Sequence, residues 1–168
     1  QIHFVAAKKY FKRVMQLGKN PKNIYLVGSL GVSNIKNLKH ESKKNLCEKF
    51  KIKFSKYNFF LIYHPETLEK NYGIKGFENL IKILKNFKDV SIFSTFSNSD
   101  TGYLKINKKL QKFQNEKRFY NFKSLNHKNY LSLLKNCDLI LGNSSSGIIE
   151  APSLGVPTVN IGNRQHGR

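Results

Sequence analysis

The sequence predicts an α/β fold, a Rossmann-like doubly wound parallel sheet, on three observations. A continuous apolar run at 59–63 has the length and composition of a strand covered on both faces, and 90–96 reads as the next strand. Between the runs, apolar residues recur at helical spacing, as at Phe77, Leu80, Ile81 and Leu84. The two patterns alternate along nearly the whole chain, as βαβ units require.

Taken in order, residues 6–17 carry a helical pattern that Gly18 and the Asn20-Pro21 turn bring to an end. A short buried strand is expected at 24–27. Gly28-Ser-Leu-Gly31 then turns toward a helix at about 41–50. Strand 59–63, helix 77–87, strand 90–96 and helix 103–113 follow, then strand 119–122 and a helix containing 129–134. Strands 139–141 and 157–161 close the series, with one short helix between them. No internal repeat, low-complexity tract or linker interrupts it. In such sheets ligands bind beyond the carboxyl ends of the strands. The residues to examine are therefore Gly28, His64, Asn98, Ser124 and Ser144, each in a strand-to-helix turn.

A length of 168 residues allows one ordinary domain with a substantial core, and 39% hydrophobic and 12% aromatic residues exclude a disordered chain. No apolar run approaches the roughly 20 residues that cross a bilayer. The opening Gln1-Ile-His-Phe leads into a charged helical pattern and not into a signal peptide. With Gln first, a single methionine at Met15 and an abrupt end at Arg168, the chain is expected to be part of a longer protein. Cys47 and Cys137 form no Cys-x-x-Cys pair, and the five histidines show no metal spacing with them. Reduced thiols in a cytoplasmic protein, without a metal, are expected.

The formal net charge of +20 raises nucleic acid as a partner. Yet all but four of the 30 basic residues are lysines, scattered over nearly every helix and often beside asparagine. A nucleic-acid surface concentrates its cations on one face and interleaves them with aromatics. The scatter reads as solvated surface whose field still draws in anions.

The most informative stretch is Gly142-Asn-Ser-Ser-Ser-Gly-Ile-Ile-Glu-Ala-Pro152, between an apolar strand and the basic Gly162-Asn-Arg-Gln-His-Gly-Arg168. One serine would suffice to cap a helix. Ser144, Ser145 and Ser146 together, followed by Gly147 without a side chain, suit a phosphate at a helix start. Glu150, among Ile148, Ile149 and Ala151, would be costly without hydrogen-bond partners, and ribose hydroxyls supply them. The arrangement reads as a nucleotide site. No Walker A pattern exists, Gly28-Ser-Leu-Gly31 is only part of a dinucleotide fingerprint, and neither ATP nor NAD is implied.

These two motifs closely resemble the hydrolysing UDP-N-acetylglucosamine 2-epimerases. So do Tyr10-Phe-Lys-Arg-Val-Met-Gln-Leu-Gly18, Val27-Gly-Ser-Leu-Gly31 and the strand ending at His64, in the same order. The resemblance covers essentially the whole chain but only the second half of a family member. It implies the C-terminal, nucleotide-binding domain (21–168) of a two-domain glycosyltransferase-B-type architecture. Residues 1–20 would be an interdomain helix segment, with the N-terminal catalytic domain and the extreme C-terminus lying outside this sequence. It also implies that Ser144 and Ser145 contact the UDP phosphates, with Ser146 and Gly147 in the same turn, and that Glu150 grips the ribose. Arg164 faces phosphate through its fork of donors. His64 contacts phosphate and assists UDP departure, Asn98 lies on the nucleotide side, Ser124 to His127 lie near the uracil, and Arg168 has less support. The implied reaction expels UDP to leave a glycal and then adds water, giving an N-acetylmannosamine-type sugar for sialic or legionaminic acid. The partners implied are a UDP-sugar and further copies of the chain, with no nucleic acid, no membrane and no cofactor. A glycosyltransferase-B nucleotide-sugar transferase and a noncatalytic RNA-binding domain are the alternatives.

Overall fold

The structure is a computed structural model and describes residues 1–113 and 116–166. The chain forms two compact units, Gln1–Leu38 and Lys39–Arg168. In the first, strand β1 (His3–Val5) pairs in parallel with β2 (Ile24–Leu26) through the crossover helix α1 (Lys8–Gln16). Helix α2 (Leu30–Asn37) follows, with Ser29 as its N-cap. The sequence reading passed over β1 and α2 and expected residues 24–27 to be buried. Only Ile24 is; Tyr25, Leu26 and Val27 are about half exposed. A two-stranded ribbon cannot cover both of its own faces, which is why an apolar run stays open here. Strand β2 belongs with β1 to the first of these units.

The second unit begins with α3 (Lys43–Phe50), capped by the Ser42 hydroxyl. It continues through β3 (Tyr57–Ile62), α4 (Ile74–Lys85), β4 (Val90–Thr95), α5 (Tyr103–Lys112), β5 (Phe119–Phe122) and α6 (His127–Lys135). It ends with β6 (Leu139–Gly142), α7 (Glu150–Ser153) and β7 (Thr158–Asn160). All five strands are parallel, in the order β5-β4-β3-β6-β7. Counted from β3, that is a 3-2-1-4-5 order, and the doubly wound parallel sheet is the class the sequence predicts. The ends of the expected elements move by a few residues.

Alternation along the strands builds one core on each face. Phe60, Ile62, Phe93 and Ile140 pack with Leu46, Leu133, Leu134 and Ala151. Leu61, Tyr63, Ile92 and Leu141 pack with Phe77, Ile81, Ile106 and Leu110 on the other side. Cys137 is buried in the first core, Cys47 is half-buried, and both are free thiols. Among the described residues no helix is long and apolar enough to cross a membrane.

The sheet reverses its winding between β3 and β6, and this pair is closely fastened. At its start, the Asn58 backbone N–H and side-chain amide both donate to Asp138 Oδ2, at 2.8 and 3.0 Å. At its end, Gly142 adopts φ +130°, and a Cβ there would collide with the Ile62 carbonyl oxygen. Gly142→Ala should therefore strain the strand and crowd its neighbour, lowering stability by at least about 1–3 kcal/mol in a denaturant titration.

Candidate nucleotide site

The switch point opens a crevice at the carboxyl ends of β3 and β6, and the two chain segments leaving it carry His64 and Asn143. Asn143, fully buried, accepts the His64 backbone N–H on its Oδ1 at 2.7 Å and donates from Nδ2 to the His64 carbonyl at 2.8 Å. The His64 ring sits 3.1 Å from the Ser97 hydroxyl through Nδ1. Ser97 is buried in the turn after β4, and the adjacent Asn98 is exposed on the same turn, within hydrogen-bonding influence of His64.

From the segment after β7, Arg164 donates to the Asn143 carbonyl at 3.3 Å and pairs with Asp100 at 3.1 Å. Gln165 donates to the same carbonyl at 2.7 Å. His64, Asn98 and Arg164, far apart in sequence, thus converge, and Asn143, Ser97, Asp100 and Gln165 join them. The sequence reading did not single out these last four. Asn143 had one signal, an amide immediately after a buried parallel strand. A cavity of about 630 Å³ adjoins the cluster, walled by Glu66, Glu69, Asn163, Arg164 and His166 among others. Neither the serine turn nor Glu150 lines it. Arg168 lies outside the described residues.

Burial pushes the His64 imidazole down to about 4 from its ordinary 6.5, with the Arg164 charge adding to the effect. Asp100 and the Asn98 side chain oppose it. The ring is therefore neutral at pH 7, donates one proton and accepts at its other nitrogen.

The serine turn departs from expectation. A single helix opening near Ser145 is not what forms. Ser145–Gly147 is a 3₁₀ turn, and α7 begins only at Glu150 and lasts four residues. Pro152 has no N–H to donate, and Gly155, at positive φ, follows directly. So short a helix has little dipole to offer an anion, and hydroxyls and peptide N–H groups must do the work. The three serines also divide their duties. Ser144 caps the turn by accepting the Ser146 N–H at 3.3 Å. Ser146 accepts the Tyr130 phenol proton at 2.6 Å. Ser145 makes no side-chain hydrogen bond among the described residues. Gly147 is needed for contact, since a Cβ there would strike the Thr158 methyl at 2.6 Å.

Glu150 is half-buried, and its Oε2 is fully shielded without a hydrogen-bond partner among the described residues. Its charge reaches Tyr130, whose phenol is pushed up mainly by burial and further by Glu150. Glu150, Tyr130 and Ser146 therefore form one group beside the turn. Of the loop 124–127, Asn126 is occupied in capping α6, and His127 starts that helix.

Comparison with known proteins decides the family. The model described as UDP-N-acetylglucosamine 2-epimerase matches residues 1–168. The chain belongs to this epimerase family. A Campylobacter jejuni protein named GDP/UDP-N,N'-diacetylbacillosamine 2-epimerase (hydrolyzing) is 38% identical over 99% of this chain and 44% of its own length. The UDP-N-acetylglucosamine 2-epimerase of Neisseria meningitidis is 32% identical, over 99% of this chain and 44% of its own. A crystal structure of the Neisseria meningitidis UDP-GlcNAc 2-epimerase bound to UDP-GlcNAc matches with a TM-score of 0.72 at 17% identity. That match covers 95% of this chain and 44% of the other, and it carries the fold, which is glycosyltransferase-B-like. The chain spans under half the length of the epimerases it matches.

The neutral His64 makes a testable demand. Its proton affinity is lower folded than unfolded, so the unfolded state takes up the proton first as pH falls. Stability should be full above about pH 6.5 and decline toward about pH 4, where the His64 share of the loss reaches about 3 kcal/mol. Denaturant titrations of the native chain and His64→Gln across this window should show a shallower slope in the variant.

Proposed function

We propose that this chain is the UDP-holding part of a hydrolysing UDP-N-acetylglucosamine 2-epimerase. The intact protein would convert UDP-N-acetylglucosamine, or a related diacetamido nucleotide sugar, and water to UDP and an N-acetylmannosamine-type sugar. The observation that carries this reading is the shielded Oε2 of Glu150, beside a hydroxyl-rich turn at the switch point. A buried carboxylate oxygen without a donor is costly, and a turn of the half-buried Glu150 side chain that brings Oε2 to a ribose hydroxyl would supply the donor it lacks. The diphosphate then lies between Ser144, Ser145 and Gly147 on one side and Arg164 and His64 on the other. Asn98 borders it.

The chemistry follows from those groups. When the anomeric C–O bond breaks, charge develops on the departing diphosphate, and Arg164 and the turn's donors stabilise it. If Ser97 donates to Nδ1, the other ring nitrogen of His64 carries the proton and faces the phosphate. An approaching dianion raises the proton affinity of this ring, reversing the effect of burial. Taking the proton from C2 of the sugar requires a general base. We assign that base to a carboxylate in the part of the epimerase beyond this sequence. The chain alone then binds UDP weakly and turns nothing over. The working protein is a cytoplasmic homo-oligomer, with no role for nucleic acid.

Isothermal titration with UDP tests the reading. The chain should bind UDP, and Glu150→Gln and Arg164→Ala should each weaken binding by about tenfold or more. Uridine should feel the Glu150 change and not the Arg164 change. Because specific contacts dominate, UDP binding should depend far less on salt than any RNA binding. Steep salt dependence with RNA preferred over UDP would favour a polyelectrolyte surface instead, and release of N-acetylmannosamine by the chain alone would overturn the division of labour.

A further inference from the structure

Asn143 uses every hydrogen-bonding group it has. Its N–H donates to the Ile62 carbonyl at 3.1 Å, and its carbonyl receives Arg164 and Gln165. Its side chain receives the His64 N–H and donates to the His64 carbonyl and, at 3.4 Å, to Glu66 Oε1. The orientation of the amide is dictated by its partners, since a backbone N–H can only donate and a carbonyl can only accept. The side chain thus acts as one more rung of the β3·β6 ladder after the strands themselves have ended.

We infer that Asn143 is a positioning residue of the nucleotide site, setting where His64 and Arg164 stand relative to each other. It holds the His64 backbone through its side chain and the Arg164 guanidinium through its carbonyl. This inference rests on the diphosphate reading of that site. No part of Asn143 needs to touch the ligand, because all its groups are already engaged. A substitution by an acid removes the donor to the His64 carbonyl and sets a negative charge against Glu66. Asn58 provides an internal control. It is equally buried and ties the same strand pair, at the opposite end from His64.

The test measures UDP affinity and denaturant stability of the chain, Asn143→Asp and Asn58→Asp, each at pH 8 and pH 5.5. Asn143→Asp is expected to bind UDP about tenfold more weakly at pH 8. The deficit relative to the native chain should narrow at pH 5.5. Burial and the nearby Glu66 raise the proton affinity of the introduced acid, and once protonated it can donate again. His64 is neutral at both pH values in the free chain. Any proton it gains on binding UDP is gained by the native chain too, so each deficit is read against the native chain at the same pH. Asn58→Asp should lose stability and keep its UDP affinity. Native-like UDP binding by Asn143→Asp, or an equal, pH-independent loss in both variants, overturns the inference and leaves the diphosphate reading standing. A native chain that does not bind UDP, with Glu150→Gln and Arg164→Ala indistinguishable from it, removes that reading and the inference together. If Asn143→Asp does not fold, Asn143→Ser, too short to span both His64 groups, must show the same loss at pH 8, and native affinity there overturns the inference.

Discussion

The pairing of β3 with β6 is the constraint on which the rest of this molecule depends. It is where the winding of the sheet reverses, so helices cover opposite faces to either side and the crevice between their approaches stays open. Two devices hold the pair in register. Asn58 and Asp138 lock its amino ends, and Gly142 lets its carboxyl ends approach more closely than any residue with a Cβ allows. Asn143 then continues the contact into loop territory. Because the loops leave from a fastened pair, His64 and the serine turn start from fixed points.

Electrostatics at the site are quieter than a formal charge of +20 suggests. Arg164 is offset by Asp100, and His64 is uncharged. Several lysines elsewhere lie against carboxylates or over rings: Lys85 pairs with Glu116 and sits 4.7 Å from the Phe113 ring centre. The many surface cations therefore act as a diffuse field, which speeds arrival of an anion without telling one from another. Discrimination is left to hydrogen bonds at the switch point, where dipoles are fixed and water is reduced.

How much of this could be read in the sequence follows from where the signal lay. Strands such as 59–63 and 139–141 were legible because apolar side chains on both faces leave an uninterrupted run, and helices such as α4 because their stripe is regular. Helix α2 was missed because Leu30–Asn37 contains Gly31, Ser33 and Asn34 and has a weak stripe. Strand β1 is three residues long, too short to stand out. The run at 24–27 was misread as buried because composition reports what a strand could bury, and burial depends on what lies over it. Strand order leaves no local trace, so the adjacency of His64 and Asn143, 79 positions apart, was invisible. The serines, Glu150, His64 and Arg164 were singled out through family motifs, and the structure brings His64 and Arg164 together with Asn98. Asn143 looked like an ordinary turn residue, because its importance lies in partners and not in type.

The same geometry argues for a division of chemical labour. The donors gathered here, namely a guanidinium, an imidazole, hydroxyls and peptide N–H groups, suit the departure of an anion. Two carboxylates beside them, Asp100 and Glu66, are engaged otherwise. Asp100 pairs with Arg164. Glu66 receives the Asn163 N–H at 3.3 Å and the Asn143 amide, and a Cβ on Gly162 would collide with it. A carboxylate holding a loop in place loses that hold when it takes up a proton, so shuttling protons to a sugar carbon would loosen the donors needed for the leaving group. On the proposed reading, a site built this way stays rigid toward the diphosphate when the base stands on separate scaffolding. This is the physical reason to expect leaving-group stabilisation and proton abstraction on opposite walls of one cleft.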